Sequence, residues 1–203
     1  LPDAMNLFAR ANQGLGRYVI AEEWYRRAIA GYEAMDGRDP RIAVALANLL
    51  SLHVEQGRPA PGRRIAERLE RWTAEQLPVT PDDCRHVLST LAGFRVLTGE
   101  EDRAEKTLLR ALAIPGGRDL ALEAAILNDL GTLSAQAGRG AKATAYFIEA
   151  LDRLERGLGR EHPSQVQVLQ NLSMSYQGEH RSSEALAASR RADRYRRIRD
   201  RPH

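Results

Sequence analysis

The stretch Gly16–Ala28, GRYVIAEEWYRRA, decides how the rest of the chain is read. A glycine turn leads into a helix carrying Ala21, Tyr25 and Ala28 at spacings of four and three, so all three share one face. The phrase returns. After GRYVIA (16–21) come GRPAPG (57–62), GEEDRA (99–104), GRGAKA (138–143) and HRSSEA (180–185), with starts 41, 42, 39 and 42 residues apart. Five residues into each segment stands a small residue: Ala21, Gly62, Ala104, Ala143 and Ala185. Four further on are Tyr25, Ala66, Leu108, Phe147 and Ser189, and three beyond those are Ala28, Leu69, Ala111, Ala150 and Ala192. A chain that repeats itself at this period is an array of one structural unit.

The residues before each turn supply the other half of the unit. Eight before it lie Phe8, Leu49, Leu91, Leu130 and Leu172, and seven before it the mostly small Ala9, Leu50, Ala92, Gly131 and Ser173. A small residue there lets two antiparallel helices approach closely. Asp39-Pro40, Thr80-Pro81 and His162-Pro163 read as a capping or pre-proline residue followed by proline at the first helical position. Pro115-Gly116-Gly117 breaks the chain before the fourth unit. The resulting helices are 3–14 with 17–36, 40–56 with 61–77, 81–98 with 101–114, 118–137 with 140–157, and 163–178 with 182–200. No segment has the alternation of a strand. Pro59, Pro61 and Gly62 predict a late start for the second helix of unit two. His180, in place of the turn glycine, predicts a differently shaped fifth turn.

Composition agrees with a folded helical array and narrows the chemistry. Of the 203 residues, 43% are hydrophobic and 28% charged, too apolar for disorder. No run approaches the roughly 18 apolar residues of a membrane span. A single cysteine, Cys84, excludes an internal disulfide. The chain opens Leu1-Pro2 without an initiator methionine and is read as trimmed; the compartment stays open, with the cytoplasm slightly favoured over export. Net charge is +3, and it is uneven: seven arginines and three acids from Ser182 onward give that tail +4. A nucleic-acid binder spreads basic charge over a working face. The tail reads instead as the solvated cap of an array, with Tyr195 and Ile198 turned inward.

The repeat resembles the tetratricopeptide repeat in its small–aromatic–small second helix, its Leu–small pair in the first helix and its linking prolines. The period is longer than the usual ~34 and is similar to the ~42-residue variety of kinesin light chains and many bacterial proteins. Leu158-Gly159-Arg160-Glu161-His162-Pro163 is similar to the inter-repeat motif of that subgroup, as are Asn128-Asp129-Leu130-Gly131, Asn171-Leu172-Ser173 and Ala21–Ala28. The resemblance implies an all-α, right-handed superhelical solenoid of about five antiparallel helix pairs, spanning 1–203 as one array. Its repeats would be 3–36, 40–77, 81–114, 118–157 and 163–200.

The resemblance also implies a concave groove lined by the first helices. Residues six, nine and ten before each turn would face it: Asn6 and Arg10, Asn48 and Ser51, Ser89 and Thr90, Asn128, Asp129 and Thr132, and Gln170 and Asn171. An amide side chain offers donors and an acceptor, the complement of a peptide bond. In the related subgroup such asparagines hold peptide, a role carried here to Asn48, Asn128 and Asn171, with Asn6 beside them. The same asparagines could instead brace neighbouring helices. Only Arg10 is basic on these rows, which disfavours a carboxylate clamp.

Five histidines at 53, 86, 162, 180 and 203 have no metal-site spacing, and His86 and Cys84, two apart on a helix, point away from each other. The reading is therefore a non-enzymatic module, with no cofactor or metal, that binds a protein or peptide partner. Nucleic acid and a membrane span are disfavoured. Alternatives are a scaffold that self-associates through its terminal hairpins, or the ligand- or peptide-sensing part of a larger regulator.

Overall fold

A computed structural model describes residues 1–75 and 80–199 and, within those, leaves aside the side chains of 75 and 197–199. Among the described residues every regular element is a helix, and there are ten. They are α1 (Pro2–Gly14), α2 (Tyr18–Met35), α3 (Arg41–Glu55), α4 (Pro59–Glu75), α5 (Pro81–Leu97), α6 (Glu101–Leu112), α7 (Leu120–Gln136), α8 (Gly140–Leu158), α9 (Gln165–Gly178) and α10 (Ser182–Arg199). Consecutive helices pair as the repeat predicts, in an all-α helical-repeat solenoid. The chain divides into two compact units, Leu1–Gly116 with α1–α6 and Gly117–His203 with α7–α10. The expected helix ends at 77 and 200, and Arg201, lie outside the described residues, as does the side chain of Ile198.

One backbone device closes all five hairpins. The turn residue takes a left-handed conformation at Gly16, Gly57, Gly99, Gly138 and His180, with φ of 71°, 62°, 76°, 73° and 61°. Its N–H bonds the carbonyl three residues back, and the next N–H bonds the carbonyl five back, as in Gly138→Ala135, Arg139→Ser134 and His180→Gln177, Arg181→Tyr176. This is a Schellman closure, which satisfies carbonyls that a helix end otherwise leaves bare. The expectation of a different fifth turn is therefore corrected. His180 adopts the same turn and bears the steric cost that glycine avoids.

The interhelix links differ from expectation in two of three places. Thr80 caps α5 by accepting the Asp83 N–H at 3.1 Å, and Pro81 opens the helix. At Asp39-Pro40 the helix begins one residue later, because the Asp39 carboxylate accepts the Arg41 N–H at 2.9 Å. At His162-Pro163 it begins at Gln165, and His162 Nδ1 accepts the Ser164 N–H at 3.2 Å. The late start expected for α4 is also corrected: it begins at Pro59. Prolines in a first turn lack only N–H groups that have no intrahelical partner there.

Packing follows the repeat. Ala21, Tyr25 and Ala28 are fully buried, as are Ala104 and Ala111 in the third repeat and Ala143 and Ala150 in the fourth. Leu49, Leu91, Leu130 and Leu172 are buried, while Phe8 in the first hairpin is 49% exposed and meets Trp24 edge-on at 5.0 Å between ring centroids. Close approach has a measurable cause. A Cβ added to Gly131 would lie 2.5 Å from the Phe147 ring, and one added to Gly62 would lie 2.8 Å from the Phe94 ring. Tyr195 is buried, as expected, and donates its hydroxyl hydrogen bond to the Arg160 carbonyl at 2.5 Å.

Two substitutions test this packing. Alanine is the better helix former by about 1 kcal/mol, but at Gly131 it meets a rigid ring, and overpacking of this kind costs about 1–3 kcal/mol. Gly131→Ala should lower the urea midpoint, and an unchanged or higher midpoint would contradict the contact. His53 is fully buried on α3, and neither ring nitrogen has a hydrogen-bond partner among the described residues. Burial holds its imidazole below its ordinary value, with Glu22 opposing and Arg58 and Arg26 reinforcing the shift. A histidine kept neutral when folded binds fewer protons than when unfolded, so stability falls as pH drops below about 6.5. His53→Leu should lose less of its melting temperature between about pH 7.5 and pH 5 than the unaltered chain does.

Candidate functional site

The predicted rows come together on the first helices, and their amides bond one another. In the first unit, Asn48 on α3 donates from Nδ2 to Asn6 Oδ1 on α1 at 3.2 Å. Asn48 Oδ1 then faces His86 Nε2 on α5 at 2.8 Å. Because an amide oxygen only accepts, His86 carries its proton on Nε2, an assignment that follows from the network. Asn48 is buried, and Asn6 and His86 are half-buried. Burial lowers the His86 pKa, and the charge of Arg10 acts in the same direction.

The second unit repeats the pattern. Asn171 on α9 donates from Nδ2 to Asn128 Oδ1 on α7 at 2.8 Å, and Gln167 Nε2 donates to Asn171 Oδ1 at 3.0 Å. In both units the amide donor that crosses between repeats points from the later repeat toward the earlier one. The remaining predicted residues divide. Thr90 donates to the His86 carbonyl at 2.9 Å and Thr132 to the Asn128 carbonyl at 3.0 Å, so these hydroxyls are tied to their own helices. Ser51 bonds Glu55 at 3.3 Å. Glu55 also accepts from Gln13 at 2.6 Å, and Gln13 from the core Tyr25 hydroxyl at 2.7 Å. Ser89 and Gln170 are half-buried; Arg10 and Asp129 are exposed. Desolvation raises the Asp129 carboxyl to about 6, with the Asn128 amide opposing. The solvent exposure of the side chain argues for a smaller rise in the same direction.

His86 and Gln167 were not singled out for this face. Both lie thirteen residues before their turns, one helical turn upstream of the row at nine. That shared offset was the available signal. His86 instead stood out only for its nearness in sequence to the buried Cys84.

The second unit also holds a cavity of about 490 Å3 on this face. Phe147 and Met174 supply apolar walls, Thr132, Ser175 and Asn171 polar ones, and Gly178 lies at its edge. Glu179 is the charged lining residue, and its charge is engaged: it accepts from Thr144 at 2.5 Å and from Arg181 at 2.9 Å. Ser175 and Thr144 share a hydrogen bond at 2.6 Å. Among the described residues no three histidine, cysteine or acidic side chains are grouped to hold a metal. No helix among them is long and apolar enough to cross a membrane.

Family comparison converges on the same repeat. Models described as tetratricopeptide repeat match residues 3–40 and 122–194, together more than half of the chain. The chain belongs to the tetratricopeptide-repeat family. The unmatched middle, 41–121, contains the proline-rich start of α4 and the repeat with Thr90 nine residues before its turn. No curated protein matches the chain significantly. Among solved structures it is similar to BtubC (BKLC) from P. vanneervenii, with a TM-score of 0.74 and 21% identity over 91% of this chain and 74% of that one. It is also similar to a putative kinesin light chain of tetratricopeptide-like repeats from Podosopora anserina, with a TM-score of 0.70 and 17% identity over 100% and 99%. A Rap protein complexed with competence and sporulation factor gives a TM-score of 0.74 and 16% identity over 94% of this chain and 52% of that one. At these identities the likeness is one of fold. Tetratricopeptide arrays are protein-interaction scaffolds and generally non-catalytic.

The amide network predicts unequal costs. Asn48→Ala leaves the His86 N–H and the Asn6 oxygen without their partner at a buried position, which should cost about 1–3 kcal/mol. Asn171→Ala at a half-buried position, where water can substitute, should cost about 0.5–1.5 kcal/mol. Denaturant titration of both variants checks the order.

Proposed function

We propose that this tetratricopeptide chain is a non-enzymatic interaction module that holds an extended peptide segment of a protein partner along its first-helix faces. The amide geometry carries the reading. An asparagine amide has two N–H donors and an oxygen with two lone pairs. Asn48 and Asn171 each use one donor and one lone pair to bridge their neighbours. One of each is left over, and the bridging holds the amide plane fixed. An immobilised amide loses little further entropy when it pairs with a peptide bond. Bracing and binding are thus compatible roles for the same side chain. Asn128, Thr132, Asp129, Gln170 and Asn171 form the contact row in the second unit, and Asn6, Arg10, Asn48, Ser51, Ser89 and Thr90 that of the first.

The Rap protein complexed with competence and sporulation factor supports the reading as a case of a similar fold solved with a bound factor. A second reading is self-association. It rests on the exposed Leu7, Phe8, Leu15 and Val19 of the first hairpin, and a mass that rises with concentration in light scattering would favour it.

The test is an array of overlapping peptides probed with the full chain. Retained peptides should bind about tenfold more weakly to Asn128→Ala and Asn171→Ala variants, a loss equivalent to one or two hydrogen bonds. Circular dichroism should show both variants folded. Unchanged binding by folded variants would refute the role of these amides.

A further inference from the structure

The cavity in the second unit lies where the fifth repeat is small at positions that carry larger side chains in the second, third and fourth; the first repeat is small there too, with Ala11 and Gly14. Five residues before the turn, the second, third and fourth repeats place Leu52, Phe94 and Leu133, all buried. The fifth places Ser175. Two residues before the turn, the same repeats place Glu55, Leu97 and Gln136, and the fifth places Gly178. Phe94 shows what the full-sized residue does: its ring packs so tightly over Gly62 on the preceding α4 that a Cβ there would lie 2.8 Å away. Ser175 instead reaches Thr144 on the preceding α8 with a hydroxyl, and a space of about 490 Å3 remains. That volume falls within the range of about 300–1,000 Å3 typical of ligand pockets.

We infer that this cavity is a specificity pocket for a neutral, bulky apolar side chain, of phenylalanine or leucine size, carried by the bound peptide. The inference rests on the peptide-binding reading above. The guest occupies the volume that Phe94 and Leu133 fill within the chain itself. Phe147 forms an aromatic wall. Gly131, which admits the Phe147 ring, fixes that wall's position. Met174 is 69% exposed at the rim, an adaptable apolar surface free to close over a guest. Charge argues for a neutral guest, since Glu179 is already engaged by Arg181 and Thr144. Asn171 lines the cavity and belongs to the amide row, so the residue that pairs with the peptide backbone also borders the pocket for its side chain.

The probes are capped peptides Ac-Gly-Gly-X-Gly-Gly-NH2 with X phenylalanine, leucine, alanine or lysine. They are titrated into the full chain while the Met174 methyl and the Gly138 and Gly178 amides are followed by NMR. The phenylalanine and leucine peptides should shift these signals and bind at least about tenfold more tightly than the other two, as burial of a large apolar side chain requires. Ser175→Phe should abolish that preference, and Ser175→Ala should keep it. Met174→Asp, at an exposed position that leaves folding unaffected, should weaken the phenylalanine peptide selectively. Equal affinity for all four peptides, still lost in Asn171→Ala, would overturn the pocket and leave the groove reading standing. A phenylalanine preference indifferent to Asn128→Ala and Asn171→Ala would support the pocket and remove the groove reading. If Ser175→Phe instead turns a dimer into a monomer, the occupant is a second copy and the inference falls.

Discussion

Each hairpin depends on where side-chain volume is withheld. Antiparallel helices approach closely only if one presents almost nothing at the crossing point, and Gly131 against Phe147 is the clearest instance. Gly62 under Phe94 shows the same economy between consecutive repeats. Interiors pack at crystal-like density, so a methyl group at such a point must displace a ring or a helix. The turn residue then closes each pair in one left-handed step, with the same two hydrogen bonds five times over. Given these constraints, within each unit the first helix of one repeat lies alongside the first helix of the next, α1 by α3 by α5 and α7 by α9. The polar rows meet as a result.

That placement explains why the rows bond to themselves. An amide ten residues before one turn meets an amide nine residues before the next, Asn6 with Asn48 and Asn128 with Asn171, across neighbouring repeats. Each bridge satisfies a group that burial would otherwise penalise. It also points the crossing donors of Asn48 and Asn171 in the same direction, from the later repeat to the earlier. The bridges therefore do not exhaust the face; they orient what is left of it.

Much of this was legible from residue spacing. The Ala21–Tyr25–Ala28 phrase, the small residue at Gly131 and the turn glycines specify the hairpins because they act locally and repeat. His180 was misjudged because a histidine can adopt the left-handed turn when its neighbours impose it, and spacing alone does not reveal that cost being borne. The α4 prolines were misjudged because their position within the first turn, and not their number, decides whether a helix tolerates them. The site was only partly legible. Rows of Asn, Thr and Ser could be named, but not which hydroxyls turn back to their own backbone, as Thr90 and Thr132 do. The pocket went unnoticed because it is made of absences, Ser175 and Gly178, which stand out only once Phe94 and Leu133 are seen to be buried at the equivalent place. The basic last helix proved partly structural: Arg191 bonds Glu155 at 2.6 Å and Gln165 at 2.8 Å.

The central claim is that bridging asparagines retain a donor for a peptide backbone. Side-chain amide NMR of Asn171 tests it most directly, because its two Nδ2 protons report separately. In the free chain one proton is bonded to Asn128, and the other has no partner among the described residues. On addition of a retained peptide, the available proton should shift downfield while its partner stays nearly still. Two unmoved protons under a saturating, independently verified peptide would show that the asparagines only brace the helices.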